Sequence, residues 1–310
     1  MKNSLFAVAA GLLIAFTACN KNENLVPDQT ITDVDLTMTT ESVVTTDASI
    51  EDVVEATEYE VELYSGTSEI VSLVDVNIDA PELKFGGRDN PFRYRYRNGV
   101  CPDVNVDSEN GTFPKTITLD YGDATELNNG RIISGIIEIV ISAPRTVSGA
   151  TRTITFDSFT VDSVSIDGEI VKTFELDEYT ISITRDLTFT LADGTIITMV
   201  GERTKVWVEG MDTPFNHEDD IFEITGYSLI SDSDGNEFKK EITIPLIKTG
   251  DCRYIVSGEV TLTQDDVIFA VIDYGDGTCD NIATYTTEDG TIEFIIGQKV
   301  RDKQKQNGNK

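Results

Sequence analysis

The 310-residue chain has a single histidine, a single tryptophan and only four cysteines. One imidazole leaves histidine-dependent catalysis one candidate, and it leaves a structural zinc site short of ligands. No CxxC pair is present to supply them. Positive charge is scarce as well. Lys and Arg number 24 against 55 Asp and Glu, a net charge of −31. Such a field repels phosphate backbones, which excludes a nucleic-acid binder. It also repels anionic membrane surfaces. No GxSxG, HExxH or SxxK frames a nucleophile or a zinc ion. Apolar residues make up 39 %, aromatics 8 % and charged residues 25 %, the balance of a folded chain rather than a disordered one.

One apolar run stands out, at the start. Met1-Lys2-Asn3 is basic, and residues 5–16 are apolar, broken only by Gly and Ala. The run is too short to span a bilayer but suits the hydrophobic region of a signal peptide. It ends in Phe16-Thr17-Ala18-Cys19. Small residues before a lone Cys resemble the lipobox of bacterial lipoproteins. That likeness implies a diacylglycerol on Cys19, cleavage before it, and an acylated new amine. Phe16 departs from the usual Leu, and an ordinary signal peptide cut nearby is the alternative. Two or more acyl chains, at about 0.8 kcal/mol per buried CH2, would anchor the protein stably. Loss of Lys2 takes the charge from −31 to −32. No second apolar span follows, so an extracytoplasmic, lipid-anchored body is expected. Asn20 rather than Asp follows Cys19, which in enteric-type sorting permits transfer to the outer membrane. The periplasmic or surface face stays open.

The expected organisation is a signal peptide (1–18), a flexible acidic tether (19–48), a short helix or connecting segment (49–69), a β-rich body (70–298) and a frayed tail (299–310). In the third of these, Ile50, Val53, Val54, Thr57, Val61 and Tyr64 recur at helical spacing, with Ser49 as a candidate cap. Residues 58–64 also alternate like a strand. Beyond residue 70 the period becomes two, in runs such as Lys115-Thr-Ile-Thr-Leu-Asp-Tyr121, Tyr179-Thr-Ile-Ser-Ile-Thr184 and Leu187-Thr-Phe-Thr-Leu191. Asp-Gly pairs at Asp167, Asp193, Asp234, Asp276 and Asp289, and Asn-Gly pairs at Asn98, Asn110 and Asn129, suit hairpin turns. These signals predict an all-β fold of about a dozen strands, with antiparallel β-sandwich or barrel-like sheets and a short N-terminal helix. Asp120-Tyr-Gly-Asp123 recurs as Asp273-Tyr-Gly-Asp276, each about twenty residues after a Cys. That weak repeat suggests related halves at 85–171 and 172–298.

Three thiols remain after Cys19, and they permit three pairings. A hairpin centred between Asp265 and Asp266 would pair Leu262 with Phe269, Val260 with Val271 and Cys252 with Cys279. An oxidising compartment would close Cys252 and Cys279 into a disulfide. Cys101 is then odd, either buried or the true partner of one of the others.

Several groups could carry chemistry. His217-Glu218-Asp219-Asp220 holds the only imidazole, in what reads as a solvated loop. Asp232-Ser-Asp-Gly-Asn236 resembles part of a calcium loop, but Ile230 stands where a ligand is needed, and a hairpin turn fits better. Asp273, Asp276 and Asp280 could converge on calcium around Gly275 and Gly277, or form Asx turns. Asp162-Ser163-Val164 resembles a short O-glycosylation motif. Phe92-Arg93-Tyr94-Arg95-Tyr96-Arg97 alternates strictly and reverses the acidic field. As a strand it places Arg93, Arg95 and Arg97 on one face and the aromatics on the other. That pattern suits a glycan or anionic surface, or else aromatics in the core with the Arg face paired to acids. Trp207 is either core or a platform on which a sugar stacks.

The segments Glu202-Arg-Thr204, Trp207-Val-Glu-Gly210, Asp212-Thr-Pro214, Ile224-Thr-Gly226, Ile242-Thr-Ile-Pro-Leu246, Cys252-Arg-Tyr-Ile-Val-Ser-Gly258 and Asp273-Tyr-Gly-Asp-Gly-Thr-Cys-Asp280 occur in this order. With Phe113-Pro-Lys-Thr-Ile-Thr-Leu-Asp-Tyr-Gly122 they resemble a family of Bacteroidota secreted lipoproteins of unknown function. The resemblance covers about residues 101–296. It implies lipoprotein status and a β-rich body, and no activity. The family tends to carry a Cys shortly after the first Asp-x-Gly segment, where this chain has Ala124-Thr-Glu126, so a lost partner would explain an odd Cys101. The functional expectation is a non-enzymatic binding or structural β module that meets the membrane through its lipid, with a glycan or an envelope protein as partner. A glycan-directed hydrolase using a carboxylate pair and a calcium-stabilised scaffold are the alternatives.

Overall fold

The computed structural model describes residues 40–73, 96, 102–109, 112–211, 218–252 and 254–296. Within the helix, side chains are described for 43–66 apart from 45 and 48. The described residues all belong to one compact unit.

Among the described residues one long helix, α1 (Thr40–Leu73), precedes the strands. Ile50, Val53, Val54, Thr57, Val61 and Tyr64 are buried along it, as their spacing requires. The helix starts earlier than the spacing from Ser49 suggested. Val43, Val44 and Asp47 extend the same pattern backwards and are buried too. Ser49 is therefore an interior helical residue rather than a cap, and residues 40–48 belong to the helix, not to the tether. Burial on several sides also explains why 58–64 are not a strand. Glu58, Glu60 and Glu62, one side of that alternation, each find partners from the helix, as described below.

Fourteen strands follow among the described residues: β1 (Asp103–Ser108), β2 (Lys115–Asp120), β3 (Thr125–Glu126), β4 (Ile132–Ile141), β5 (Ala150–Val161), β6 (Val164–Glu175), β7 (Thr180–Thr190), β8 (Ile196–Glu209), β9 (Ile221–Asp232), β10 (Glu237–Thr249), β11 (Ile255–Gln264), β12 (Val267–Asp276), β13 (Ile282–Thr287) and β14 (Gly290–Ile295). They form one antiparallel sheet in the order β1-β2-β4 and onward to β14, with β3 beside β4. The all-β expectation holds. Two runs read as separate strands, 179–184 and 187–191, are one strand, β7. The charged Arg185-Asp186 lies between them, and Arg185 continues the inward phase of Ile183 and Leu187.

Among the described residues most Asp-Gly and Asn-Gly pairs close hairpins, namely Asp193-Gly194, Asp234-Gly235, Asp289-Gly290 and Asn129-Gly130, while the pairs at Asn98 and Asn110 lie outside the described residues. Asp167-Gly168 does not, because it lies inside β6. Gly168 has φ +111°, and a Cβ there would lie 2.1 Å from the Asp186 carbonyl oxygen. Gly226 in β9 repeats the arrangement, with φ +132° and 2.2 Å to the Glu202 oxygen. Such glycines let a strand kink where a neighbouring backbone comes close.

The sheet curls over α1. Asn129 and Arg131 by β4, together with Lys248, Gly250 and Cys252 by β10, line one cleft beside the helix. Those strands are six places apart in the sheet order, so only curvature brings them together. One apolar cluster fills the concave side, from Leu119 on β2 through Ile139, Ile170 and Leu187 to Leu262 and Ile272.

The β11–β12 hairpin turns where expected, with Gln264 opposite Val267. Its register then differs. A shift between Leu262 and Thr263 pairs Leu262 with Ala270 and Val260 with Ile272, not with Phe269 and Val271. The bulge turns Ile272 inward and leaves Val271 half-buried.

Candidate functional site

The concave face of the sheet carries a row of cations, and α1 carries the matching acids. Arg131, just before β4, lies 2.9 Å from Asp52 and 3.1 Å from Asp162. Arg152 on β5 and Lys172 on β6 reach Glu62 at 2.9 and 3.0 Å. Arg185 on β7 donates to Glu58. Arg203 on β8 meets Glu51 at 2.6 Å, and Lys240 on β10 meets Asp47 at 2.7 Å. From β5 to β10 the partners step back along the helix from Glu62 to Asp47. Fifteen residues of helix rise about 22 Å, close to the roughly 24 Å across five inter-strand spacings. The helix therefore runs obliquely across the strands, one acid for each strand or two.

Opposed charge sets the protonation of these groups. Burial disfavours ionised Glu58, but Lys172 and Arg185 outweigh it and hold its pKa at about 2. Glu62, whose side chain is partly exposed, is held well below the ordinary range by Lys172 and Arg152. Glu51 is lowered by Arg203 and Lys240 in spite of its own burial. Asp47 behaves differently. Its burial is not fully offset by Lys240, with Glu51 close by, so its pKa is raised. A small internal cavity of about 80 Å³ lies here, lined by Glu51, Arg203, Tyr227, Ser228 and Lys240 among others.

Further along α1 a carboxylate is held by phenols. Tyr96 and Tyr121 both donate to Glu60, Tyr121 at 2.8 Å, and Tyr64 donates to Tyr96 at 2.9 Å. All four side chains are buried. Burial and the neighbouring carboxylate raise the pKa of Tyr96 and Tyr121. Tyr96 is thus a core residue, not part of a ligand surface. Arg93, Tyr94, Arg95 and Arg97 lie outside the described residues, as do Cys19, Cys101 and His217.

Cys252 and Cys279 form a disulfide with Cα atoms 5.6 Å apart, as hairpin symmetry suggested. Cys252 also borders the cleft beside α1. That cleft has a volume of about 550 Å³ and is lined by Asp52, Glu55, Tyr59, Arg131 and Lys248 among others. Arg131 is committed to its two aspartates, and Lys248 donates to the Cys252 carbonyl.

The structure does not gather Asp273, Asp276 and Asp280 into a calcium site. Each accepts a backbone N–H two residues on, from Gly275, Thr278 and Ile282 respectively. These are Asx turns. Asp120 repeats the device with Gly122. Among the described residues no group of three or more His, Cys, Asp or Glu is placed to hold a metal ion. Asp232 likewise serves the β9–β10 turn, accepting from Asp234 and Asn236. Asp162 helps close the β5–β6 hairpin and accepts from Ile132.

Trp207 stands at the far end of β8, opposite Phe222 on β9. Their rings stack 6.0 Å apart, and Tyr179 meets Trp207 edge-on at 6.4 Å. Lys205 lies over the other neighbour, its Nζ 3.8 Å from the Phe222 centroid. Sequence reasoning singled out Trp207 but missed its companions and the cation row. A signal for both was present. Arg152, Lys172, Arg185 and Lys240 fall in phase with the buried residues Ile154, Ile170, Leu187 and Phe238, and Lys205 falls in phase with Trp207.

No family model, curated protein or solved structure matches the chain. Among the described residues no helix is long and apolar enough to cross a membrane.

Proposed function

We propose that the protein is an extracytoplasmic lipoprotein of the outer membrane, anchored through Cys19, whose β body is a non-enzymatic binding or structural module. One observation carries the non-enzymatic reading. The concave face, where a curled sheet would hold substrate, is filled by α1, and its carboxylates are neutralised by strand cations. A glycan or another envelope component then meets the outer rim rather than the interior. The resemblance to secreted Bacteroidota lipoproteins supports the same address.

A hydrolase needs one carboxylate raised and one ionised. Asp47 and Glu51 do diverge in this way. Both lie against Lys240, and the cavity that Glu51 lines there is about 80 Å³, far below the 300 Å³ or more of ordinary ligand pockets.

Labelling cells with palmitate tests the anchor. The native chain should incorporate label and sediment with membranes, and Cys19→Ser should lose both. Retention of label by Cys19→Ser would remove the anchor from the reading. Turnover of a glycan by the native protein, abolished by replacing a carboxylate pair, would replace the module reading with the hydrolase.

A further inference from the structure

Six cations on or beside the concave face have a carboxylate partner. Lys205 is on the same face and among the described residues has none. Its ammonium lies over the face of Phe222. Burial lowers its pKa, the Lys172 ammonium adds to that, and the carboxylates of Glu62, Glu58 and Asp220 do not restore it. Two residues along the same side of β8, the Trp207 indole N–H is buried and has no acceptor. An unmet buried donor is unfavourable. Phe222 is thus flanked by the Lys205 ammonium, which has no carboxylate partner among the described residues, and by the buried Trp207 N–H, which has no acceptor.

The third ring is held at a conformational cost. Tyr179 has φ 51° and ψ 37°, a left-handed conformation that suits Gly or Asn and is rare for a bulky side chain. It is fixed from both sides, its N–H donating to Leu176 and its carbonyl accepting from Trp207. The ring stays 45 % exposed. Strain of this kind gathers at binding sites.

We propose that this rim binds an acidic saccharide, with its carboxylate on Lys205, a hydroxyl oxygen on the Trp207 N–H and an apolar sugar face against the rings of Tyr179 and Trp207. The proposal rests on the binding-module reading and names its ligand class. Aromatic rings take the C–H face of a sugar, the unpaired ammonium takes the anion, and each donor gains its missing acceptor. A neutral sugar would leave Lys205 as it is.

Titration calorimetry of the full-length mature protein in detergent, with tetragalacturonate and with the neutral maltotetraose, tests this. Tetragalacturonate should bind more tightly, and more weakly as salt rises. Lys205→Met should reduce its affinity at least tenfold and leave maltotetraose unchanged. Trp207→Phe, which keeps a ring and removes the N–H, should reduce it several-fold, and Tyr179→Ala should reduce it as well. An unchanged near-UV spectrum of Lys205→Met excludes misfolding. Equal affinity for the two saccharides, or an unaffected Lys205→Met, would overturn the proposal. Absence of tetragalacturonate binding would also overturn it. The module reading would survive that result if crosslinking in native envelopes gave a partner whose capture does not depend on Lys205 or Trp207.

Discussion

Lys240 and Asp47 lie 2.7 Å apart with side chains 5 % and 4 % exposed. A pair so enclosed gives little net stability, but removing one partner strands the other. Lys240→Met should therefore destabilise the fold by about 3–5 kcal/mol. The double variant Lys240→Met/Asp47→Leu should recover most of that loss. Urea midpoints of the four proteins measure the coupling. Equal loss in single and double variants would mean that the pair contributes packing rather than charge. Nothing in the neighbours of Lys240 along the chain names Asp47, 193 positions earlier. Phe238, two residues before it in the same phase, was the available clue. Tyr96 is the converse. Its alternation with Arg95 and Arg97 left core and ligand surface both open, and the hydrogen bond to Glu60 places it in the core.

At the scale of an element, two glycines decide how strands pass each other. Gly168→Ala and Gly226→Ala would each push a Cβ to 2.1–2.2 Å from a carbonyl oxygen, at positive φ. Each should destabilise the protein by roughly 2 kcal/mol or more. Gly66 of α1 is the control, because a Cβ there meets nothing within 4 Å. Gly66→Ala should stabilise by up to about 1 kcal/mol through helix propensity. Chemical denaturation of the three variants would show opposite signs, and a neutral Gly168→Ala would contradict the close approach. Asp167-Gly168 reads in the sequence like every other Asp-Gly turn. Only the strand lying against it distinguishes the two uses. The β11–β12 hairpin teaches the same lesson, since its turn was legible and its bulge was not.

For the whole molecule, the docking of α1 makes stability depend on pH. Glu58 has a folded pKa of about 2 against an ordinary 4.5. Its contribution is fully present above about pH 4.5 and is lost as pH falls towards 2, roughly 3 kcal/mol in all. Glu51 and Glu62 are lowered as well and act in the same direction. Asp47 is raised and opposes them, because its protonation favours the folded state as pH falls. With three groups against one, the urea midpoint should drop steeply between pH 4.5 and pH 2, with loss of near-UV signal from Trp207 and the buried tyrosines. A flat midpoint across that window would mean that the cation row does not hold the helix.

By itself the sequence determined the all-β class, the helical spacing from Ile50 to Tyr64 and most of the turns, and it favoured the Cys252–Cys279 bond. Each of these is written in short periods, turn residues or hairpin symmetry. The tertiary structure alone decided that one sheet would curl over one helix, that strand cations would face helix acids, and that Asp273, Asp276 and Asp280 would close turns rather than gather a metal. Pairing between charges depends on which distant strand lies opposite. In a chain with 55 acids, no local pattern says which of them will be buried.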